Sequence, residues 1–244
     1  MPSYHHFISL TTPGGAMPVY IAAPEGRGPH PAVLVIQGMH GVEAFELSVA
    51  ERLAEHGYVG AVPDLFHRGP ACFLREELDQ RRRGMSDPQV IGDVSATMRY
   101  LQEQPYVRAD RIGIIGFCMG GRVSYLMAAT SAEIRVAADF YGDGVLRGEE
   151  GPAPFELTSR IRCPVAIFDG EEDPHPSPEE VRKIEAELAR HGVVHEVHIY
   201  PGVGHGFMSA QGARRRADVI EDAWSCLLSW LAQPLASEVA LSHS

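Results

Sequence analysis

The stretch "RIGIIGFCMGGRVSYLMAA", residues 111–129, places one cysteine between two glycines. Its first half is an apolar run that predicts a buried strand, and its second half has the composition of a helix. A strand that turns this sharply into a helix strains the residue at the bend and needs small neighbours. The pattern therefore predicts a strand, a tight turn with Cys118 at its tip, and a helix.

Cys118 has two interpretations at this point. The segment matches the nucleophile-elbow pattern G-x-S-x-G with sulfur in place of oxygen, and a helix N-terminus favours a thiolate. Free cysteine is also among the most buried residue types, and a pattern of five residues is short. The stretch alone leaves a nucleophile and a core residue equally open.

The rest of the chain predicts an α/β fold. Apolar runs alternate with helical patterns at a spacing typical of a mostly parallel sheet with helices on both faces. Two strand patterns around the turn at 13–15 predict an N-terminal antiparallel hairpin. A final helix is predicted over 213–231, and no repeat or linker divides the sequence. We expect one domain over 1–244, with a loosely ordered tail from about residue 234.

Composition narrows the function classes. The chain has 244 residues and a net charge of -11, without a concentrated basic stripe, which argues against nucleic acid as a partner. The N-terminus lacks a signal-peptide pattern, and no window approaches the roughly 20 apolar residues of a membrane span. Four cysteines lie far apart (Cys72, Cys118, Cys163 and Cys226). A reduced, cytoplasmic enzyme is the expected setting.

A cysteine nucleophile needs a base, and the base needs an orienting group. Asp173 and His205 each follow a late predicted strand, in the order nucleophile, acid, histidine. Asp173 could instead be a turn residue before Pro174, and His205 a surface-loop histidine. Because the carboxyl ends of parallel strands meet at one edge, three matches in this order favour catalysis.

Backbone donors for an oxyanion are expected on either side of the cysteine. One is the N–H of Met119, directly after Cys118. The second is expected from the loop after the run "AVLVIQ", where by position we favour the N–H of Met39. Gly38 and Gly41 keep that loop open to a substrate.

With these residues assembled, the chain resembles the dienelactone hydrolase family of α/β-hydrolases. The matching segments run in family order from about residue 5 to 231: "VIQGMHGVEAF", "GYVGAVPDLFHR", "IGIIGFCMGG", "IFDGEEDPHPSPEE" and "YPGVGHGF". A cysteine in the elbow is specific, since most α/β-hydrolases carry serine there. The resemblance implies ester or lactone hydrolysis by Cys118, His205 and Asp173 through a thioester, without cofactor or metal.

Two departures from the family concern the substrate. Gly38 follows Gln37 where the type member has a glutamate that helps to activate the thiol. Glu43 could face the site in its place or cap the following helix. Ser209 stands four residues after His205, where the type member has an arginine that holds the substrate carboxylate. A second substrate-binding arginine could correspond to Arg82 or to either of its neighbours, Arg81 and Arg83.

Further candidates for the pocket are His40, Tyr141 and Phe207, each of which could equally be core or rim. The pattern "HEVH" at 195–198 suggests zinc, but residues three apart in a strand point to opposite faces, so we expect no metal. The scaffold could also serve as a cyclase, an isomerase or a carbon–carbon bond hydrolase, or as a non-catalytic thiol-based binding or redox protein. A small-molecule partner and a monomer or homodimer are expected.

Overall fold

The computed structural model describes residues 3–69, 84–148, 151–209, 212 and 215–236. Its strands in chain order are β1 (Ser3–Thr12), β2 (Gly15–Pro24), β3 (His30–Ile36), β4 (Val59–Pro63), β5 (Val107–Phe117), β6 (Ile134–Phe140), β7 (Val165–Gly170) and β8 (His195–Tyr200). Its α-helices are α1 (Ala44–Glu55), α2 (Asp87–Gln102), α3 (Met119–Thr130), α4 (Pro178–Arg190) and α5 (Ala217–Leu235), with a 3-10 helix at Pro154–Arg160.

The eight strands form a single sheet in the order β1-β2-β4-β3-β5-β6-β7-β8. β1 pairs antiparallel with β2, and β2 antiparallel with β4, whereas every other neighbouring pair is parallel. The hairpin turns between Thr12 and Gly15, and Gly15 has a φ of 110°, which a residue with a side chain rarely adopts. The predicted hairpin and mostly parallel sheet are confirmed.

Helices cover both faces of the sheet, as β5 illustrates. Ile114 belongs to an apolar cluster with residues of α2, α3 and α4, while Ile115 belongs to a cluster with residues of α1 and α5. Successive strand residues point to opposite faces, so the continuous apolar run of β5 fits a strand that is buried on both sides. The carboxyl end of β5 thereby lies near the middle of the sheet, with Cys118 directly after it.

The last helix differs from its predicted range. It begins at Ala217 and continues through Pro234 to Leu235, four residues beyond the expected end at Leu231. Leu231 and Leu235 lie one turn apart and are both buried, which favours continuing the helix although proline removes a backbone donor from its last turn. Pro234 and Leu235, which were expected to belong to a loosely ordered tail, are therefore helical, and residues 237–244 lie outside the described part of the chain.

The turn between β5 and α3 depends on close backbone contact at Gly120. A Cβ at this position would overlap the carbonyl oxygens of Ile36 and Gln37 at the end of β3. We expect Gly120→Ala to lower the free energy of unfolding by about 3 kcal/mol, because neither the strand nor the helix can retreat without strain. Denaturant unfolding monitored by circular dichroism measures this change.

Gly92→Ala is the matched control. Gly92 lies in the exposed part of α2 with no atom near the position of an added Cβ. Alanine there should stabilise the protein by about 0.5–1 kcal/mol through helix propensity alone. Equal effects of the two substitutions would contradict the tight-packing account of Gly120.

Candidate active site

Cys118 occupies the predicted sharp turn. Its φ of 56° and ψ of -117° lie outside the regions favoured by residues with a side chain, and it immediately precedes α3. Its backbone N–H donates to the carbonyl oxygen of Phe140 on the neighbouring strand at 2.9 Å. Such a conformation costs on the order of 1–3 kcal/mol and persists where surrounding structure enforces it, commonly at functional sites. The side chain of Cys118 faces a pocket at the carboxyl edge of the sheet.

His205 and Asp173 meet at the same edge, in the loops after β8 and β7. The Nδ1–H of His205 donates to Oδ2 of Asp173 at 2.7 Å. The other carboxylate oxygen of Asp173 accepts the backbone N–H of His175 at 2.8 Å, and the side chain is buried. These two donors fix the carboxylate, and the carboxylate in turn fixes the tautomer and orientation of the imidazole.

The His205 ring lies between this carboxylate and the thiol. Burial alone would lower the pKa of His205, but hydrogen bonds to Asp173 and Cys118 and the charges of both groups together raise it to about 10. An imidazole with this proton affinity can accept a proton from a thiol. The arrangement supplies a nucleophile, a base and an orienting acid, which are the groups that acyl transfer requires.

A pocket of about 210 Å³ opens above these groups. It is lined by Gly38, Met39, His40, Glu43, Phe45, Glu46, Phe117, Cys118, Tyr141, His205, Gly206, Ser209 and Gly212. The structure thus brings five of the predicted substrate-side positions to the pocket, namely Gly38, Met39, His40, Tyr141 and Ser209. Arg82 and its two neighbours lie outside the described residues.

Phe207 does not reach the pocket, contrary to the expectation from sequence. It is fully buried and its ring packs at 5.4 Å from Tyr141 and 5.5 Å from Tyr200. Tyr141, which has a φ of 43°, in turn lies edge-on to the His205 ring at 5.2 Å. Phe207 therefore packs behind Tyr141 and is not among the residues that line the pocket.

The two predicted oxyanion donors lie on either side of Cys118. Met119 is the first residue of α3, where a backbone N–H has no acceptor within its own helix. Met39 belongs to the loop after β3, and a Cβ on the preceding Gly38 would lie 3.7 Å from the Cβ of Cys118. The loop that contains Met39 therefore lies directly beside Cys118. A side chain at position 38 would narrow the space between this loop and the thiol.

Glu46 is a pocket residue that the sequence patterns did not single out. Glu43 is the N-cap of α1 and forms a reciprocal capping box with Glu46, so Glu43 both caps the helix and lines the pocket. Glu46 is buried and accepts the N–H of Glu43 at 3.0 Å and of Gly38 at 3.5 Å. Burial raises the pKa of Glu46, although these hydrogen bonds act to lower it. Its carboxylate ties the Met39 loop to α1.

Two further carboxyl groups lie buried beneath the site. Asp139 ends the apolar run of β6, and burial raises its pKa to about 7. Asp169 lies near the end of β7, and burial, followed by the charge of Asp173, raises its pKa to about 9. Both residues are almost completely shielded from solvent. Their only sequence signal is an acid at the end of an apolar run, which does not reveal burial.

Comparison with known proteins identifies the family of the chain. The model of the dienelactone hydrolase family matches residues 17–235. The chain belongs to the dienelactone hydrolase family. A Synechocystis protein named as a carboxymethylenebutenolidase is 34% identical over 214 residues, which cover 84% of this chain and 87% of the relative. A Bradyrhizobium protein named as a 2-oxo-3-(5-oxofuran-2-ylidene)propanoate lactonase is 31% identical, with 92% of each chain covered.

Solved structures of the dienelactone hydrolase family give the same fold. A crystal structure titled as a dienelactone hydrolase from Klebsiella pneumoniae superposes with a TM-score of 0.88 and 27% identity, covering 96% of this chain and 100% of that one. The dienelactone hydrolase-like phosphotriesterase P91 from metagenomic libraries, at 21% identity and a TM-score of 0.84, shares the fold. The chain is thus a dienelactone hydrolase-like hydrolase with the α/β-hydrolase fold. None of its described helices has the length and apolar character to cross a membrane.

Proposed function

We propose that this dienelactone hydrolase-like protein cleaves an ester or lactone bond of a small molecule, with Cys118 as the nucleophile. The observation that carries the proposal is the His205–Asp173 hydrogen bond of 2.7 Å, on an imidazole in hydrogen-bonding reach of a cysteine held on a strained turn. The names of the Synechocystis and Bradyrhizobium relatives support the bond type, since they denote hydrolysis of a butenolide and of a lactone.

The reaction begins with proton transfer from Cys118 to His205. The thiolate attacks the carbonyl carbon, and the resulting oxyanion collapses as the carbon–oxygen bond breaks. The leaving alkoxide takes the proton from the imidazolium, which leaves a thioester on Cys118. His205 then removes a proton from water, the hydroxide attacks the thioester, and the returning proton regenerates the thiol with release of the acid. Asp173 holds the imidazole in place throughout.

The oxyanion is stabilised by the backbone N–H groups of Met119 and Met39. Each lies on rigid backbone beside Cys118, one at a helix N-terminus and one in the loop tied by Glu46. A donor fixed in this way needs no reorganisation when charge develops on the carbonyl oxygen, and each is worth about 3 kcal/mol of the barrier.

The pocket favours a small, uncharged acyl group. Its volume of about 210 Å³ is below that of sites for drug-sized ligands. Its described lining residues include Phe45, Phe117 and Tyr141 as apolar surface and two carboxyl groups, but no arginine or lysine. Ser209 occupies the position of the arginine that holds a substrate carboxylate elsewhere in the family. A neutral lactone or short-chain ester fits this lining better than a carboxylated dienelactone.

A pre-steady-state experiment tests the proposal. Mixing the enzyme with excess p-nitrophenyl acetate should release a burst of p-nitrophenolate equal to the enzyme concentration, followed by slower turnover. Acid quenching during the burst should yield a mass increase of one acetyl group on the peptide that contains Cys118. If Cys118 is alkylated by iodoacetamide while the ester gives neither burst nor turnover, a thiol-based binding or redox protein becomes the better interpretation.

A further inference from the structure

Asp169 is a buried carboxyl group that the proposed reaction does not use. It lies on β7, one residue before the end of the strand, with no exposed surface. One of its oxygens accepts the backbone N–H of Gly170 at 2.8 Å. Within the described part of the chain, no donor reaches the other oxygen, Oδ2. An ionised carboxylate in this position would carry an unsatisfied, desolvated charge, which is costly.

The side chain of Asp169 lies in hydrogen-bonding reach of the carboxyl group of Asp173. Two ionised carboxylates at this distance repel each other, so the pair is stable only when it shares one proton. The same proton satisfies the Oδ2 oxygen of Asp169, since a protonated carboxyl group can donate to a carboxylate. One proton on Asp169 thus gives its Oδ2 oxygen a hydrogen-bond partner and removes the repulsion between the two carboxylates.

The surroundings decide which of the two acids holds the proton. Asp173 accepts two hydrogen bonds, from the imidazole of His205 and from the N–H of His175, so each of its two oxygens already has a donor. Asp169 accepts one, from its neighbouring residue, and the charge of a third buried acid, Asp139 on β6, also disfavours its ionisation. Negative neighbours disfavour a further negative charge, so the proton resides on Asp169.

We propose that Asp169 is a positioning residue that stays protonated and donates its carboxyl hydrogen to Asp173, so that Asp173 remains the fixed acceptor for His205. Asp173 then accepts from three directions: a backbone N–H, an imidazole and a carboxylic acid. The third donor restrains rotation of the Asp173 carboxylate, on which the placement of the imidazole depends. This inference rests on the proposed function of Cys118, His205 and Asp173.

The titratable groups around Asp169 give the expected pH behaviour. Asp139 faces it from β6, and Asp173 with its partner His205 faces it from the loops after β7 and β8. Ionisation of Asp169 removes a donor from Asp173 and places a second charge beside it. We therefore expect kcat to fall as the pH rises through about 9, the value to which burial and Asp173 raise the pKa of Asp169.

Two substitutions at Asp169 distinguish a role as a proton donor from a role in filling space. Asp169→Asn keeps a donor at the same place, and should retain at least about a third of the wild-type kcat while losing the decline near pH 9. Asp169→Leu keeps the branched shape at Cγ without a donor. It should lower kcat by about 100-fold with KM nearly unchanged, because the base is misplaced and the pocket is not. Ile167→Val, on the same face of β7, is the control and should leave kcat and its pH profile unaltered.

A stability measurement covers the case in which Asp169→Leu does not fold. The folded-state pKa of Asp169 is raised above its unfolded value, so its neutral form stabilises the fold fully below pH 4, and this contribution is lost as the pH rises to about 9. Asparagine does not titrate. The melting temperature of Asp169→Asn relative to wild type should therefore rise by about 3 °C or more between pH 5 and pH 9. A difference that does not change with pH would overturn the proposal.

The outcomes also distinguish this inference from the proposed function. If Cys118→Ala abolishes ester turnover but Asp169→Leu folds and keeps the wild-type kcat and pH profile, only the role of Asp169 is refuted. If Cys118→Ala retains turnover, the proposed function fails, and the melting-temperature comparison still reports whether Asp169 holds a proton.

Discussion

Replacing Cys118 by alanine is expected to lower kcat for a short-chain chromogenic ester by roughly 10⁴-fold or more. The change removes the atom that forms the thioester, while His205, Asp173 and the backbone donors stay in place. The residual rate should match hydrolysis assisted by the oxyanion donors alone, because binding and electrostatic stabilisation survive loss of the nucleophile. Steady-state assays, together with the peptide-mass measurement described above, give both the rate and the loss of acylation.

Cys226→Ala is the matched control for that experiment. Cys226 is a free, half-buried cysteine on α5, with its sulfur 3.8 Å from a carboxylate oxygen of Asp222 and outside the pocket. The Cys226→Ala protein should keep the p-nitrophenolate burst and the turnover rate of the wild type. Turnover of the Cys118→Ala protein at the wild-type rate would show that another group attacks the substrate.

Asp173→Asn is expected to lower kcat by about 10³- to 10⁴-fold. The amide has nearly the shape of the carboxylate, but its NH₂ group cannot accept the Nδ1–H of His205, so the imidazole adopts the wrong tautomer or rotates. Asp173 also contributes to the raised pKa of His205, so the pKa of the imidazole should fall in the variant. In the wild type, Asp173 and Cys118 together raise the pKa of His205, so their stabilising effect is full below pH 6.5 and is lost as the pH rises through about 10.

Two measurements check the Asp173 prediction. The pH dependence of kcat/KM reports the displaced ionisation, and the stability gap between variant and wild type should be larger at pH 6 than at pH 10. Glu171→Gln, an exposed acid two residues earlier in the same loop, is the control and should change neither. An Asp173→Asn enzyme with wild-type kcat would mean that His205 is oriented by something other than this carboxylate.

The architecture and the order of the site residues could be predicted because both depend on local sequence patterns. The apolar run before Gly116 and the two glycines around Cys118 specify a strand, a close turn and a helix. Asp173 and His205 follow apolar runs, and parallel strands bring such positions to one edge. These arguments need only the period of the sequence and the geometry of a parallel sheet.

Other features required the three-dimensional structure because they depend on burial. In the sequence, Asp139 and Asp169 look like ordinary acids near the ends of strands. Only the packed sheet and helices show that water is excluded from them. Phe207 lies two residues from His205 in the chain, yet the turn at Gly206, with a φ of 75°, sends it into the core. The end of α5 at Leu235 follows from a tertiary contact that outweighs the local preference of Pro234. The sequence did not point to Glu46, because the local pattern is accounted for by Glu43 as a helix cap.

The sheet order has a consequence for how the protein matures during synthesis. Cys118 follows β5, an interior strand, whereas His205 follows β8, at the far edge of the sheet and much later in the chain. A nascent chain that has folded only as far as β6 carries the thiol without its base. Pairing distant strands is slow compared with forming local turns, so the imidazole arrives at a late stage of folding. Ester turnover should consequently appear only when the final strand has docked, which makes it a kinetic reporter of completed folding.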